Sequence, residues 1–278
     1  MFSVPRSVDL CILIPCFNNL PGMIRSVQSI RYTEGKYAVI LVDDGSTPPL
    51  MLPELKLALS PAVPLHLISL GENSGITGAL NAGLRWILHN LQTRYIARLD
   101  CGDVCHADRF FRQVAYLDAH QDVGLLGSWC TFKQTYSSFQ YNYTTPTEHN
   151  LIQREMYFRN VFIHPTVIFR STLLNKVGLY PEAFQYVEDY ALFWKILQES
   201  KGKILDELLV TCEINKAGIS IKNRKAQLQG RKHVIKAFGE SFFLKFLGEV
   251  KLIILGMIPY HMVMHLKEKF TRTGIAFI

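Results

Sequence analysis

Three acidic groups stand where chemistry could be done. Asp43-Asp44-Gly45-Ser46 and Asp100-Cys101-Gly102-Asp103 each follow a short apolar run, and Glu188-Asp189 opens a helical pattern. A carboxylate that closes a strand and looks into a cleft can accept hydrogen bonds from a base or ribose. It can also hold a hard divalent cation through oxygen ligands. The structural alternative is a turn or a helix cap. That alternative is weaker for Asp100 to Asp103, because Asp108 is better spaced to cap the helix that follows. Gly102 would let a diphosphate approach the backbone closely. Neither the dinucleotide fingerprint G-x-G-x-x-G nor a P-loop is present.

These groups need elements to position them. Leu10–Pro15, Tyr37–Val42, Leu65–Leu70 and Tyr95–Leu99 read as strands. Between them, Met23, Val27 and Ile30, then Ile76, Leu80, Leu84 and Leu88, fall at helical spacing. Alternating strands and helices predict an α/β layer fold. Parallel strands joined by right-handed crossovers bring their C-terminal ends to one edge, where ligands bind. Asp43/Asp44 and Asp100/Asp103 share that edge. Further on, Phe110, Val114 and Leu117 predict a helix and Leu125–Cys130 a strand. Phe132–Tyr143 reads as a loop or irregular hairpin, and Val161–Phe169 as a strand. Tyr190, Phe193, Trp194 and Leu197 predict a helix opened by Glu188-Asp189, and Phe242–Phe270 reads as one or two amphipathic helices.

Composition removes several classes. With 49% hydrophobic residues in 278, the chain can bury a core, so intrinsic disorder is excluded. Six cysteines are too few for a disulfide scaffold and read as reduced thiols. The start lacks the pattern of a secretory signal. The apolar stretch Leu252–Met264, interrupted by Pro259 and His261, is shorter than the ~20 residues a membrane span needs. Cys101, Cys105 and His106 lack the fourth ligand of a zinc site.

In order along the chain, six segments resemble family 2 glycosyltransferases of the GT-A fold. They are Ile14-Pro-Cys-Phe-Asn18, Val42-Asp-Asp-Gly-Ser46, Glu72-Asn-Ser-Gly-Ile76 with Ala79-Leu-Asn-Ala-Gly-Leu84, Ile96-Ala-Arg-Leu-Asp-Cys-Gly-Asp103, Ile163-His-Pro-Thr-Val-Ile-Phe-Arg170 and Val187-Glu-Asp-Tyr190. The resemblance covers residues 8–212 and implies a mostly parallel nucleotide-binding sheet flanked by helices. By that resemblance Pro15 and Phe17 border the nucleotide, Asp44 binds the base with Asp43 supporting it, and Asp100 meets the cofactor-linked diphosphate. Asp100 and Asp103 would hold Mg²⁺ or Mn²⁺ at the position of the DXD motif. Asp189 matches the general base of inverting members, with Glu188 beside it. One departure stands out: relatives read Asp-Ala-Asp-Asp where this chain has Asp100-Cys101-Gly102-Asp103, so the third acid is missing. Asp189 could instead only complement its helix dipole. His164 reads equally as a core histidine or a substrate contact, and Trp129 as core or a sugar-stacking platform; Phe193 and Trp194 read as core.

The expected function is transfer of a sugar from a nucleotide-sugar donor, UDP being commonest in the family, to a glycan or lipid-linked acceptor in surface polysaccharide synthesis. A non-catalytic nucleotide-sugar-binding protein on the same fold is the first alternative, and a sugar nucleotidyltransferase the second. The second lacks its early phosphate loop. Residues 213–278 read as a basic amphipathic helical tail. From Asn215 onward twelve lysines and arginines face three acids, a surplus larger than the whole chain's +7. Lys222, Arg224, Lys225, Arg231, Lys232 and Lys236 precede Phe242, Phe243, Phe246 and Leu247. Basic followed by apolar fits a helix lying on an anionic membrane surface. No nucleic-acid-binding module accompanies the charge. The expected location is cytoplasmic, on the inner face of the cell membrane.

Overall fold

The computed structural model describes residues 6–59, 63–134, 139–214 and 223–258. Four strands, β1 (Arg6–Cys16), β2 (Tyr37–Asp43), β3 (Leu65–Ser69) and β4 (Leu91–Arg98), run parallel in the order β3-β2-β1-β4. Helices α1 (Leu20–Gln28), α2 (Leu52–Ala58) and α3 (Gly75–Asn90) connect them. Consecutive residues of β1 point to opposite faces, and both faces are covered. Leu10, Ile12 and Ile14 pack with Met23, Val27 and Phe110, whereas Cys11 and Leu13 pack with Leu80, Leu84 and Ile87.

The sheet then changes direction. After β5 (Val104–Cys105) and α4 (Arg109–Ala119) comes the long β6 (Val123–Gln134), which forms an antiparallel hairpin with β7 (Gln140–Tyr143). Following α5 (His149–Met156), the short β8 (Ile168–Arg170) lies between β4 and β6, antiparallel to both. After α6 (Leu174–Val177) and α7 (Glu188–Glu199), β9 (Lys201–Ile214) runs parallel to β6 and ends against β5. Last come α8 (Arg224–Phe238) and α9 (Phe242–Met257).

Two expectations are corrected. Val161–Phe169 is not a continuous strand: Thr166 N–H donates to Ile163 O at 2.8 Å, and a 3₁₀ turn over His164–Thr166 leaves only Ile168–Arg170 to pair. Pro165, without an N–H, suits that turn. Asp108 precedes α4 but caps nothing, because its backbone is helical (φ −87°, ψ 0°) rather than extended. Its carboxylate lies 3.9 Å from Arg112 instead.

Helix α9 is held by Gly248, buried where a Cβ would come within 2.3 Å of Tyr157 O. Its opposite face is bare, with Phe242 85%, Phe243 66%, Phe246 59% and Met257 76% exposed. Among the described residues no helix is long and apolar enough to cross a membrane. Lys222 and the end of the sequence-predicted tail helix, including Met264 and Phe270, lie outside the described residues.

Candidate active site

The C-terminal ends of β1 and β2 form one side of a cleft. Pro15 is the last residue but one of β1, and Phe17, just beyond the strand, is 48% exposed. Asn18, at φ 50°, ties the two loops together: its N–H donates to Ser46 Oγ (2.9 Å), and its Oδ1 accepts from Thr47 N–H (2.8 Å). Asp43 spends both carboxylate oxygens on its own loop, accepting from Ser46 N–H at 3.1 Å and Leu50 N–H at 2.8 Å. Asp44 is also buried, but both its bonds, from the N–H and hydroxyl of Ser74 at 2.8 Å, fall on Oδ1. That clamps the start of α3 to the end of β2.

The end of β4 carries the second group. Arg98 is fully buried; it donates through Nη1 to Leu13 O, through Nε to His164 Nε2 (3.2 Å) and through Nη2 to Asp100 Oδ1 (2.7 Å). Asp100 keeps 40% of its side chain exposed to the cleft. Desolvation there raises its pKa, against the pull of Arg98 and Arg109. Asp103 turns the other way. It is 6% exposed, its Oδ1 accepts from Glu213 N–H at 2.8 Å, and burial, then the Asp100 charge, push it up to about 8. Gly102 adopts φ 111°, donates to Ser26 Oγ at 2.9 Å, and has a carboxylate against it: a Cβ would lie 2.9 Å from Glu213 Oε2, which pairs with Arg25 at 2.9 Å. The missing third acid thus has a local cause, since a left-handed backbone and a neighbouring carboxylate both disfavour it.

Across from Asp100, the start of α7 supplies the third group. Asp189 accepts from Asn160 Nδ2 at 3.0 Å on Oδ2 and from Tyr190 N–H at 2.7 Å on Oδ1. Burial raises it to about 6, opposed by the Tyr190 N–H and by Arg231 of α8. Glu188 is 6% exposed and its Oε2 has no hydrogen-bond partner among the described residues. Burial and then the Asp189 charge push it up to about 7. Asp100 raises both carboxylates, so the two groups share one cleft. His164 extends the Arg98 side of the site: its Nε2 meets the Tyr180 hydroxyl at 2.8 Å as well as Arg98 Nε. Burial, then Arg98, hold its pKa well below the usual value, so the imidazole is neutral and Nε2 accepts. Tyr180 is pinned by Asn81, which exchanges two bonds with its backbone at 2.9 and 3.0 Å.

The fold therefore brings Pro15, Phe17, Asp44, Asp100, Glu188 and Asp189 to one edge. Asp43 and Asp103 face inward behind them. Sequence reasoning missed Arg98, Asn160 and Tyr180. Arg98 carried a usable signal, a charge flanked by apolar residues inside a strand, which demands a buried partner. His164 is bonded to the side chains of Arg98 and Tyr180 rather than to backbone, while Trp129 is tied down by donating to Thr145 O at 3.0 Å. Two surface hollows, of about 480 and 270 Å³, lie away from this edge, beside Asp9 and Lys36 and beside Arg31 and Phe111.

Comparison with known proteins gives the family and the fold. The model of the family described as "Glycosyl transferase family 2" matches residues 11–178. The amylovoran biosynthesis glycosyltransferase AmsE of Erwinia amylovora is 32% identical over 49% of this chain and 48% of its own length. A UDP-Gal:alpha-D-GlcNAc-diphosphoundecaprenol beta-1,3-galactosyltransferase of Escherichia coli is 28% identical over 53% of this chain and 52% of its length. The chain thus spans about half the length of these curated relatives. In structure it resembles S. aureus TarS 1-349, solved also with UDP and UDP-GlcNAc (TM-score 0.61, 17% identity, 88% of this chain, 70% of TarS). It also resembles the mannosyltransferase PcManGT of Pyrobaculum calidifontis in complex with GDP-Man and Mn²⁺ (TM-score 0.62, 19% identity, 90% of this chain, 72% of PcManGT). On the strength of the family match and the shared GT-A fold, the chain belongs to glycosyl transferase family 2.

Proposed function

We propose that the chain is an inverting glycosyltransferase that moves a sugar from a nucleotide-sugar, UDP-linked, to a hydroxyl of a glycan or lipid-linked acceptor in surface polysaccharide synthesis. The observation that carries this is the opposition of two carboxylate groups across one buried network: Asp100 on Arg98 at one side, Glu188 and Asp189 at the other. Phe17 offers an exposed ring for the base to stack on, and Asp44 accepts a base N–H through Oδ2, with Asp43 holding the loop. Asp189, oriented by Asn160, takes the proton of the acceptor hydroxyl, and the unpaired Oε2 of Glu188 receives a sugar hydroxyl.

The donor set suits a hard cation bound by one carboxylate and two phosphates. Asp100 would hold Mg²⁺ or Mn²⁺ through its cleft-facing carboxylate, with Asp103 behind it rather than beside it. No group of three or more potential metal ligands is found among the described residues. When bound, the ion neutralises charge on the departing diphosphate. Arg98 opposes the rise that burial imposes on Asp100 and aims its carboxylate.

Residues 8–212 form the catalytic domain in this reading, and 213–278 a tail that lies on the inner face of the cell membrane. The exposed stripe Phe242, Phe246, Val250, Ile253 and Met257 on α9, in a chain end rich in lysine and arginine, supports an anionic lipid surface as its partner. Two measurements test the proposal. Asp189→Asn must abolish turnover of a UDP- or GDP-sugar while nucleotide binding survives, and the wild type must float with anionic vesicles. A fully active Asp189→Asn enzyme refutes the catalytic assignment, and no flotation refutes the tail assignment.

A further inference from the structure

Cys16 and Cys101 come from distant parts of the chain, yet their sulfurs lie 3.3 Å apart. Cys16 ends β1, immediately before Phe17, and Cys101 sits between Asp100 and Gly102. Both thiols lie near Asn19 O, at 3.6 and 3.2 Å. Cys101 is the one cysteine of the six that is not buried. An oxidant therefore enters past Cys101, and whichever sulfur it oxidises has the other within reach.

We propose that Cys16 and Cys101 are a reversible disulfide site that disables the donor end of the cleft when a hydroperoxide reaches it. One of the two sulfurs attacks the O–O bond, forming S–O and releasing an alcohol, or water from hydrogen peroxide. The other sulfur then displaces hydroxide from it: S–S forms, S–O breaks, and the hydroxide leaves as water with the thiol proton. In total two thiols and one hydroperoxide give one disulfide, one alcohol and one water. A dithiol reductant reverses it by thiol–disulfide exchange.

Closing the bond brings the sulfurs from 3.3 Å to about 2.05 Å. Cys16 is fixed in the sheet opposite Asp43, so the Asp100–Asp103 turn moves, with Gly102 as its most pliable residue. The Cys101 contact with Asn19 O is lost and Asp100 shifts on Arg98 by roughly 1 Å, a misplacement that costs on the order of 10²-fold in turnover. This consequence rests on the donor-binding role of the cleft; the disulfide itself does not.

The test treats the full chain with hydrogen peroxide, blocks remaining thiols with iodoacetamide and maps peptides. The expected product is a Cys16–Cys101 linked peptide, with the loss of two thiols, absent from Cys101→Ser and Cys16→Ser and reversed by dithiothreitol. Cys101 trapped by dimedone as a stable sulfenic acid, or two free thiols after treatment, overturns the site. Calorimetry with UDP and GDP then compares reduced and oxidised protein: binding lost on oxidation supports the consequence, and equal binding overturns it. If the reduced protein binds no nucleotide, the donor reading fails while the peptide map still decides the disulfide.

Discussion

Replacing Asp189 by Asn keeps its size and an oxygen for Asn160 Nδ2 to reach, but removes the proton acceptor. A positioned general base contributes about 10²–10⁴-fold, so turnover should fall by that factor with nucleotide affinity unchanged. The wild-type pH profile carries a second signature. Asp189 is raised to about 6 and Glu188 to about 7, so the pair loses its protons in two macroscopic steps near those values. Only the ionised base works; turnover should therefore drop about tenfold per unit below the lower step and level off above the upper one. Arg231→Gln removes a cation that favours the ionised Asp189, so the acid limb should move upward, by up to about one unit, with the plateau untouched. Stability runs in the opposite sense. A carboxyl whose folded pKa is raised contributes stability below its unfolded pKa and loses it as pH rises through about 6. Asp189→Asn should accordingly melt no lower than wild type at alkaline pH, which separates lost chemistry from lost fold. Nucleotide release from a UDP- and GDP-sugar panel across the range reads the profile. An Asp189→Asn enzyme within about tenfold of wild type, or a profile flat through both steps, would refute the reasoning.

Three further outcomes follow from geometry. Gly102→Ala should destabilise by about 1–3 kcal/mol through its φ of 111°, seen as a fall in Tm of about 2–4 °C per kcal/mol. The nearby Glu213 carboxylate can swing aside for at most ~1 kcal/mol of exposed pairing with Arg25, so Gly102→Ala placed in a Glu213→Ala background should fall by nearly the same amount. Asp103→Asn keeps an acceptor for Glu213 N–H and removes a carboxyl raised to about 8; in EDTA, its Tm should gain on wild type as pH rises from the ordinary carboxylate range through 8, and a loss at every pH contradicts the burial argument. Phe242→Ser and Phe246→Ser, at positions 85% and 59% exposed, should leave Tm nearly unchanged, while each weakens vesicle binding about tenfold or more in flotation, from ~1.5–3 kcal/mol of lost apolar transfer.

What the sequence disclosed and what it hid follow one physical distinction. Strands β1, β2 and β4 were legible because most of their residues are buried on both faces, which makes near-continuous apolar runs, and because β2 and β4 run into acids. Strand β9 was not, since Lys201–Ile214 mixes five charged residues into its length and its pairing with β6 is interrupted by register shifts at Val123/Leu125 and around Trp129. Helix α5 lacks a capping side chain, and the sequence reading assigned no element there. The same distinction runs through the site. Asp44, Asp100 and Asp189 announce themselves because the chain delivers them locally, at strand ends and a helix start. Their tuning is non-local: Arg98 reaches His164 across 66 positions, Asn160 reaches Asp189 across 29, and Cys16 meets Cys101 across 85. A motif carries the groups that touch a ligand, whereas the contacts that fix their charge and direction exist only once the sheet has closed. Gly102 joins the two levels. In the sequence it is an acid gone from a motif; in the fold it is a left-handed turn backed by Glu213 from β9, an element the motif never mentions.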